Sequence, residues 1–386
     1  MNKVTKKTLV FPTTIKALHA FIYGLFSLYL PIYLMSKGFS GYHVGIFIGL
    51  ANLISIISTL PTGVANDRIR SKKIILYALI LSIVYFTGLL TVTNAFILGF
   101  AFILGGLGKN LFTLSIDSLA FRVVDPAKSS KQIGKYLGIV TFLSVIGIAI
   151  GGNVINTFGF EVTIIAIIVL FIITAIGSLF LPITQTFKFK LFEYKRDIFK
   201  KEVLFFMLIV FLFSLHYGAE MTSYTLFLKH NFSLDLGTMG LYMASAIVLL
   251  AIAEIYFGRK VQKGMDPKHV FYFGLLVSGI GHVLFSIQSD VWISFIFRCI
   301  HEIGDGAMIF SIFYGIVKIF NIERIGGNSS IVSLTSILGI SVASFIFGPL
   351  GEHYGYYLPL LITGGTSILA FLLLFYFNKK VLLKRA

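Results

Sequence analysis

The chain has 386 residues, 57% of them hydrophobic and only 12% charged, with a mean hydropathy of +0.92. That excludes a soluble protein of two or three domains. The net charge of +16 suggests nucleic acid only until its placement is traced, and the single cysteine, Cys299, excludes an intramolecular disulfide or a cysteine-based metal cluster.

Crossing the hydrocarbon core takes about 20 mostly apolar residues. Twelve such runs follow one another, at 11–36, 42–64, 74–92, 95–121, 134–157, 161–182, 203–228, 238–258, 269–288, 291–317, 328–350 and 355–378. The first follows a basic start, as a signal peptide would. It is far longer than a signal core and lacks a small-residue cleavage site, so it reads as a retained helix.

With the N-terminus inside, 28 of the 32 Lys and Arg fall on the cytoplasmic side. They start with Lys3, Lys6, Lys7 and Lys16, then occupy the 2/3 and 4/5 loops. They continue in the central stretch (Lys188, Lys190, Lys195), the 8/9 and 10/11 loops, and the tail (Lys379, Lys380, Lys384, Arg385). This bias sets the expected orientation, both termini cytoplasmic, and removes the case for a nucleic-acid partner. No loop is long enough for a soluble domain, and no G-x-x-x-x-G-K-[ST] phosphate loop is present. No cofactor is expected. Enzymatic function is disfavoured, because no loop brings together a nucleophile, a base and an orienting partner.

The polar stretch 184–202 divides the chain into a first unit, 1–183, and a second, 203–386. Sliding one half over the other by 195 or 196 positions superimposes Gly45 on Gly240, Gly63 on Gly258, and Gly108 on Gly304. It also superimposes Ser115 and Ile116 on Ser311 and Ile312, Gly152 on Gly348, and Gly159 on Gly355. Two six-helix units in parallel orientation explain the match. Such repeats place a substrate site near the midplane.

Between runs 2 and 3 the sequence reads Gly63, Val64, Ala65, Asn66, Asp67, Arg68, Ile69, Arg70, Ser71, Lys72, Lys73. This resembles the G-x-L-A-D-R-x-G-R-K signature of the major facilitator superfamily, with Gly63, Asp67, Arg68 and Lys72 in register. Arg70 stands where the second glycine would be. The resemblance implies a loop that latches one conformation. Asp67 is suited to accept hydrogen bonds from a helix N-terminus, and Asp117 is assigned to the same latch. In run 5, Gly147, Ile148, Ala149, Ile150, Gly151 and Gly152 are similar to the G-P-x-x-G-G element of antiporters in this superfamily, without its proline. Small residues at this spacing also serve plain helix packing.

Ionisable groups within a span are costly. Here they keep mainly to every third helix: His19 on helix 1; Lys109 and Asp117 on helix 4; His216 and Glu220 on helix 7; Arg298, His301, Glu302 and Asp305 on helix 10. Those four helices line the central cavity in the superfamily the sequence resembles. At 100° per residue, Arg298, His301, Glu302 and Asp305 form one stripe. Lys109 and Asp305 are repeat-equivalent, which suggests a charge pair across the halves. Glu220, Glu302 or Asp305 is expected to carry a coupling proton or help bind a cationic substrate, while Arg298 has a static ion pair as its alternative. His19 and His282 read as packing residues. His216 with Glu220, and His301 with Asp305, have i, i+4 metal-ligand spacing, but no metal site is expected.

The expectation is therefore an all-α membrane protein with twelve transmembrane helices in two six-helix bundles related by pseudo-two-fold symmetry. It would be a monomeric secondary active transporter in the cytoplasmic membrane, moving a small organic solute by alternating access and proton-coupled efflux. The alternatives are a metabolite uptake symporter, a lipid flippase, or a non-transporting scaffold with the same fold.

Overall fold

The computed structural model describes residues 7–27, 29–39, 41–187, 192–234 and 236–377. Lys3, Lys6, Lys188, Lys190, Lys379, Lys380, Lys384 and Arg385 lie outside them, so the basic tails are not described. Every regular element in the described residues is helical: α1 Lys7–Phe26, α2 Leu30–Ser36, α3 Gly41–Arg68, α4 Ser71–Thr91, α5 Ala95–Val123, α6 Ser129–Ser178 and α7 Phe192–Ile198. There follow α8 Lys201–Ala219, α9 Thr225–Phe232, α10 Leu236–Gln262, α11 Pro267–Ser286, α12 Val291–Ile319, α13 Ile325–Tyr354 and α14 Tyr357–Phe377. Helices satisfy every backbone group internally, which the hydrocarbon core demands.

Among the described residues, eleven helical runs are long and apolar enough to cross a membrane. One of them, α6, is two spans joined at Gly159, whose φ of +78° interrupts the helix. Its repeat-equivalent, Gly355, has φ +96° between α13 and α14. Glycine takes this left-handed conformation without the Cβ clash other residues meet. With that bend counted, the membrane spans among the described residues number twelve. The helix starts repeat as well. Asn94 caps α5 by accepting from the Phe96 and Ile97 amides, and Asp290 caps α12 by accepting from Trp292 and Ile293.

Three expected elements differ in detail. The first run is broken between α1 and α2, where a proline opens α2; a missing amide costs least in a helix's first turn. The seventh is interrupted by a π-helical turn, Glu220–Tyr224, between α8 and α9. The 2/3 motif is not mainly loop: Gly63 to Arg68 complete α3, and only Ile69 and Arg70 separate it from α4. A basic residue in the last turn of α3, Arg68, suits the negative end of the helix dipole.

Two compact units form. Unit 1 comprises residues 1–125, 142–190 and 321–331; unit 2 comprises 126–141, 191–320 and 332–386. Each unit thus contains a short segment from the other half of the sequence. In unit 1, Gly63 of α3 lies against Gly326 and Ser330 at the start of α13, and in unit 2 Gly258 of α10 lies against Ser130 and Gly134 at the start of α6. These contacts are repeat-equivalent. So are two others: Gly108 of α5 abuts α4 at Ala78 to Ser82, and Gly304 of α12 abuts Ser278 of α11. Near the opposite end of unit 1, Lys37 pairs with Glu161 at 2.9 Å. The Glu161 carboxylate holds the Lys37 ammonium above its usual value, but so exposed a pair contributes little stability.

Candidate functional site

Unit 1 holds a basic, aromatic-walled cavity. Lys109 of α5 projects into it with its ammonium 5.3 Å from the centre of the Tyr23 ring. Among the described residues no carboxylate lies within ion-pair distance of Lys109, whereas nearby Lys16 is paired with Asp117 at 2.5 Å. One lobe, of about 270 Å³, is lined by Lys16, His19, Tyr23, Lys109 and Phe112. An adjoining lobe of about 160 Å³ shares Tyr23, Ser27 and Lys109, and adds Tyr85 and Phe102. His19 stacks on Phe112 with ring centres 3.8 Å apart. Gly147 and Gly151 of α6 sit against the Phe21 and Leu25 carbonyls, so the glycine element forms a close seam with α1. Gly152 meets the Tyr29 hydroxyl.

The signature residues of unit 1 form a separate site. Asp67 is fully buried. It pairs with Arg122 and accepts the Gly326 and Gly327 amides at 2.8 and 2.7 Å. Two amides at the start of α13 meeting a carboxylate is the charge-assisted arrangement that a helix N-terminus favours. The Asp67 carbonyl accepts from the Phe187 amide. Lys72 donates to the Leu179 carbonyl, and Arg68 is exposed. Asp117, expected at this latch, is the partner of Lys16.

Unit 2 gathers the remaining interior charges. Arg298 bonds Glu220 through two nitrogens and lies 2.6 Å from Glu302, with its guanidinium 4.4 Å from the centre of the Tyr224 ring. His301 Nε2 is 3.1 Å from Glu220 Oε1 and 3.5 Å from Asp305 Oδ2. His216 Nε2 is 3.1 Å from the same Asp305 oxygen. Ser278 donates to Asp305 Oδ1 at 2.7 Å. His282, read from sequence as a packing residue, belongs to the cluster: its Nδ1 is 3.5 Å from Glu220, and its ring centre is 4.7 Å from that of His301. The π-turn begins at Glu220, and such insertions reorient the residues around them. His216, Glu220 and His301 each bring one ligand atom within 4.8 Å of the others.

Sequence reasoning thus found Lys109, Asp67 and most of the unit 2 cluster. It missed Arg122 as the partner of Asp67, Lys16 as that of Asp117, and Ser278 altogether, and it read His282 as packing. Asp305 spends both carboxylate oxygens inside unit 2, on Ser278 and the two histidines.

Comparison with known proteins bears on the whole chain. The family model described as Major Facilitator Superfamily matches residues 13–227 and 206–385. No curated protein matches the sequence. Among solved structures, the human organic anion transporter MFSD10 (TETRAN) is similar at TM-score 0.82 and 13% identity, covering 96% of this chain and 99% of that one. A bacterial homologue of the iron transporter ferroportin, outward-facing, is similar at TM-score 0.77 and 11% identity, covering 97% and 100%. The E. coli fucose:proton symporter FucP is similar at TM-score 0.78 and 10% identity, covering 97% and 99%. At such identities the likeness establishes the fold, and chemistry has to be argued from the sites.

Proposed function

This chain belongs to the major facilitator superfamily, and from that premise we propose that it is a proton-coupled exporter of a small organic solute carrying a negative charge. It would sit in the cytoplasmic membrane with both termini inside, as the lysine and arginine bias argues, and work as a monomer by alternating access. The observation that carries the reading is Lys109, whose ammonium opens into the cavity with no carboxylate partner among the described residues. Such a charge calls for a counter-charge from a ligand. Tyr23, Tyr85 and Phe102 supply apolar walls for the rest of the molecule. The carboxylates of unit 2 are engaged by Arg298 and histidines, which supports a cation-exchange role for them over one in holding a cationic drug. MFSD10, described as an organic anion transporter, shares the fold.

Lys109 also favours a second direction. An anion entering a cell against an inside-negative potential needs accompanying cations, which is the logic of proton symport. Purified protein in liposomes under an imposed pH gradient separates the two, with a panel of fluorescent organic anions as probes. Export predicts accumulation in the acidic compartment, symport in the alkaline one. Lys109→Met is expected to lower flux about tenfold or more, the worth of a charged contact. At least one of Glu220→Gln, Glu302→Gln and Asp305→Asn should abolish the pH dependence. Flux that ignores both Lys109→Met and the pH gradient would sink the proposal.

A further inference from the structure

Hydrogen bonding fixes the tautomers of two histidines in unit 2. His216 Nδ1 faces the Phe213 carbonyl, and His301 Nδ1 faces the Ser278 carbonyl at 2.9 Å. Carbonyl oxygens only accept, so each Nδ1 carries the proton. Among the described residues, the other hydrogen-bonding neighbour of His301 Nδ1 agrees: the Ser278 hydroxyl, 3.3 Å away, gives its only proton to Asp305. In a neutral ring the remaining nitrogen, Nε2, then presents a lone pair. Both Nε2 atoms point at carboxylate oxygens, which are acceptors too: Asp305 for His216, Glu220 and Asp305 for His301. Four electron-rich atoms therefore converge, and a cation has to lie among them: one proton on each ring, or one metal ion shared by both.

We propose that His216, Glu220, His301 and Asp305 form a binding site for a divalent transition-metal ion, held by two imidazole nitrogens and two carboxylate oxygens. The inference rests on reading this cluster as the transporter's cation site, and it names an ion that the site takes besides protons.

Three observations favour a shared ion over separate protons. Asp305 Oδ2 is a common neighbour of both rings, at 3.1 and 3.5 Å, and His301 Nε2 is 3.1 Å from Glu220 Oε1. A tetrahedral ion bound at about 2.0–2.1 Å separates its ligand atoms by about 3.4 Å, so the three spacings already approximate edges of such a site. The backbone carbonyls behind both Nδ1 atoms are the partners that ligating histidines usually have, fixing tautomer and ring orientation. Finally, one guanidinium, Arg298, stands against three carboxylates, Glu220, Glu302 and Asp305, leaving two negative charges when the histidines are neutral. One divalent ion balances them.

Imidazole suits zinc, iron, nickel or copper, whereas magnesium and calcium prefer all-oxygen sites. The other charged or titratable groups facing the cluster are His282 from α11, Arg298 and Glu302 from α12, and Tyr217 and Tyr224 from α8 and the π-turn. α14, which packs on α8, brings no charged residue.

The test uses full-length protein purified in detergent and stripped with chelator, titrated with Co²⁺ while visible absorption is recorded. One Co²⁺ per chain with the strong visible bands of a tetrahedral complex, displaced by Zn²⁺, is expected. His216→Gln and Asp305→Asn should weaken binding at least 100-fold while eluting as folded monodisperse protein. His301→Cys should retain binding and add a thiolate-to-cobalt charge-transfer band absent from the parent, a signature that a packing role for His301 cannot produce. The inference is overturned if the parent protein shows no stoichiometric tetrahedral band, or if the band survives His216→Gln and Asp305→Asn unchanged. Proton-driven flux in liposomes is read separately: flux without cobalt binding removes the metal site and leaves the transporter reading standing. Cobalt binding with no flux for any probe does the reverse.

Discussion

Asp67 concentrates more polar contact than any other residue of the 2/3 motif. Its carboxylate takes the Arg122 guanidinium and two amides, and its carbonyl a third. Asp67→Asn removes the charge and leaves Arg122 buried without it. Removing one partner of a buried pair costs about 3–5 kcal/mol, so a clearly lower melting temperature in detergent is expected. Unchanged melting would mean that Arg122 draws its compensation from another group. The aspartate was legible in the sequence because its neighbours spell a signature. Arg122 was not, because it lies 55 residues away and a linear motif says nothing about which distant helix turns toward it. His282 shows the same limit. A lone histidine on an apolar helix reads as packing, and only tertiary packing brings it to Glu220 of the π-turn and His301 of α12.

Hydropathy located the helices well because burial in lipid is a property of whole runs, insensitive to single residues. Breaks inside a run depend on local backbone chemistry, and these the pattern hid. The π-turn is the consequential case. Spacing placed His216 and Glu220 side by side at i, i+4, yet His216 reaches Asp305 while Glu220 reaches Arg298 and His301. A π-turn is equivalent to one residue inserted into an α-helix. Deleting Met221, which lies within it and is 74% exposed, should restore α-helical continuity and remove the widened turn at Glu220. Helix content by circular dichroism should hold while pH-dependent flux falls at least tenfold. Retained flux would show that the turn does not position Glu220.

At the scale of the molecule, the repeat is more than a similarity of pattern. Position 262 is the counterpart of position 67, and Gln262 makes the corresponding contacts without charge: it accepts from the Ser130 hydroxyl at 3.1 Å and donates to the Ala127 carbonyl at 2.8 Å. Neutral hydrogen bonds are worth roughly half of charge-assisted ones. Amide hydrogen exchange can weigh the two directly. Asp67→Asn should accelerate exchange of Gly326 and Gly327 strongly, and Gln262→Ala should accelerate residues 127–130 by a smaller factor. Equal acceleration would show that charge does not differentiate the two contacts. The crossing of segments 126–141 and 321–331 into the opposite units was not legible in the sequence, since no run of residues announces which half it will pack with.

The joint where Gly108 meets α4 and Gly304 meets α11 is a repeated packing contact. It also bears on how a duplicated protein acquires two chemistries. Ser82 and Ser278 are counterparts at that joint, but Ser82 turns its hydroxyl back to the Ala78 carbonyl of its own helix, while Ser278 turns outward to Asp305. The counterpart of Asp305 is Lys109. A glycine and the backbone it touches form a frame indifferent to the side chains around it, so after duplication each copy was free to drift in charge without losing its shape. One copy carries an ammonium at this position, the other a carboxylate. Sameness of frame left room for that difference in charge.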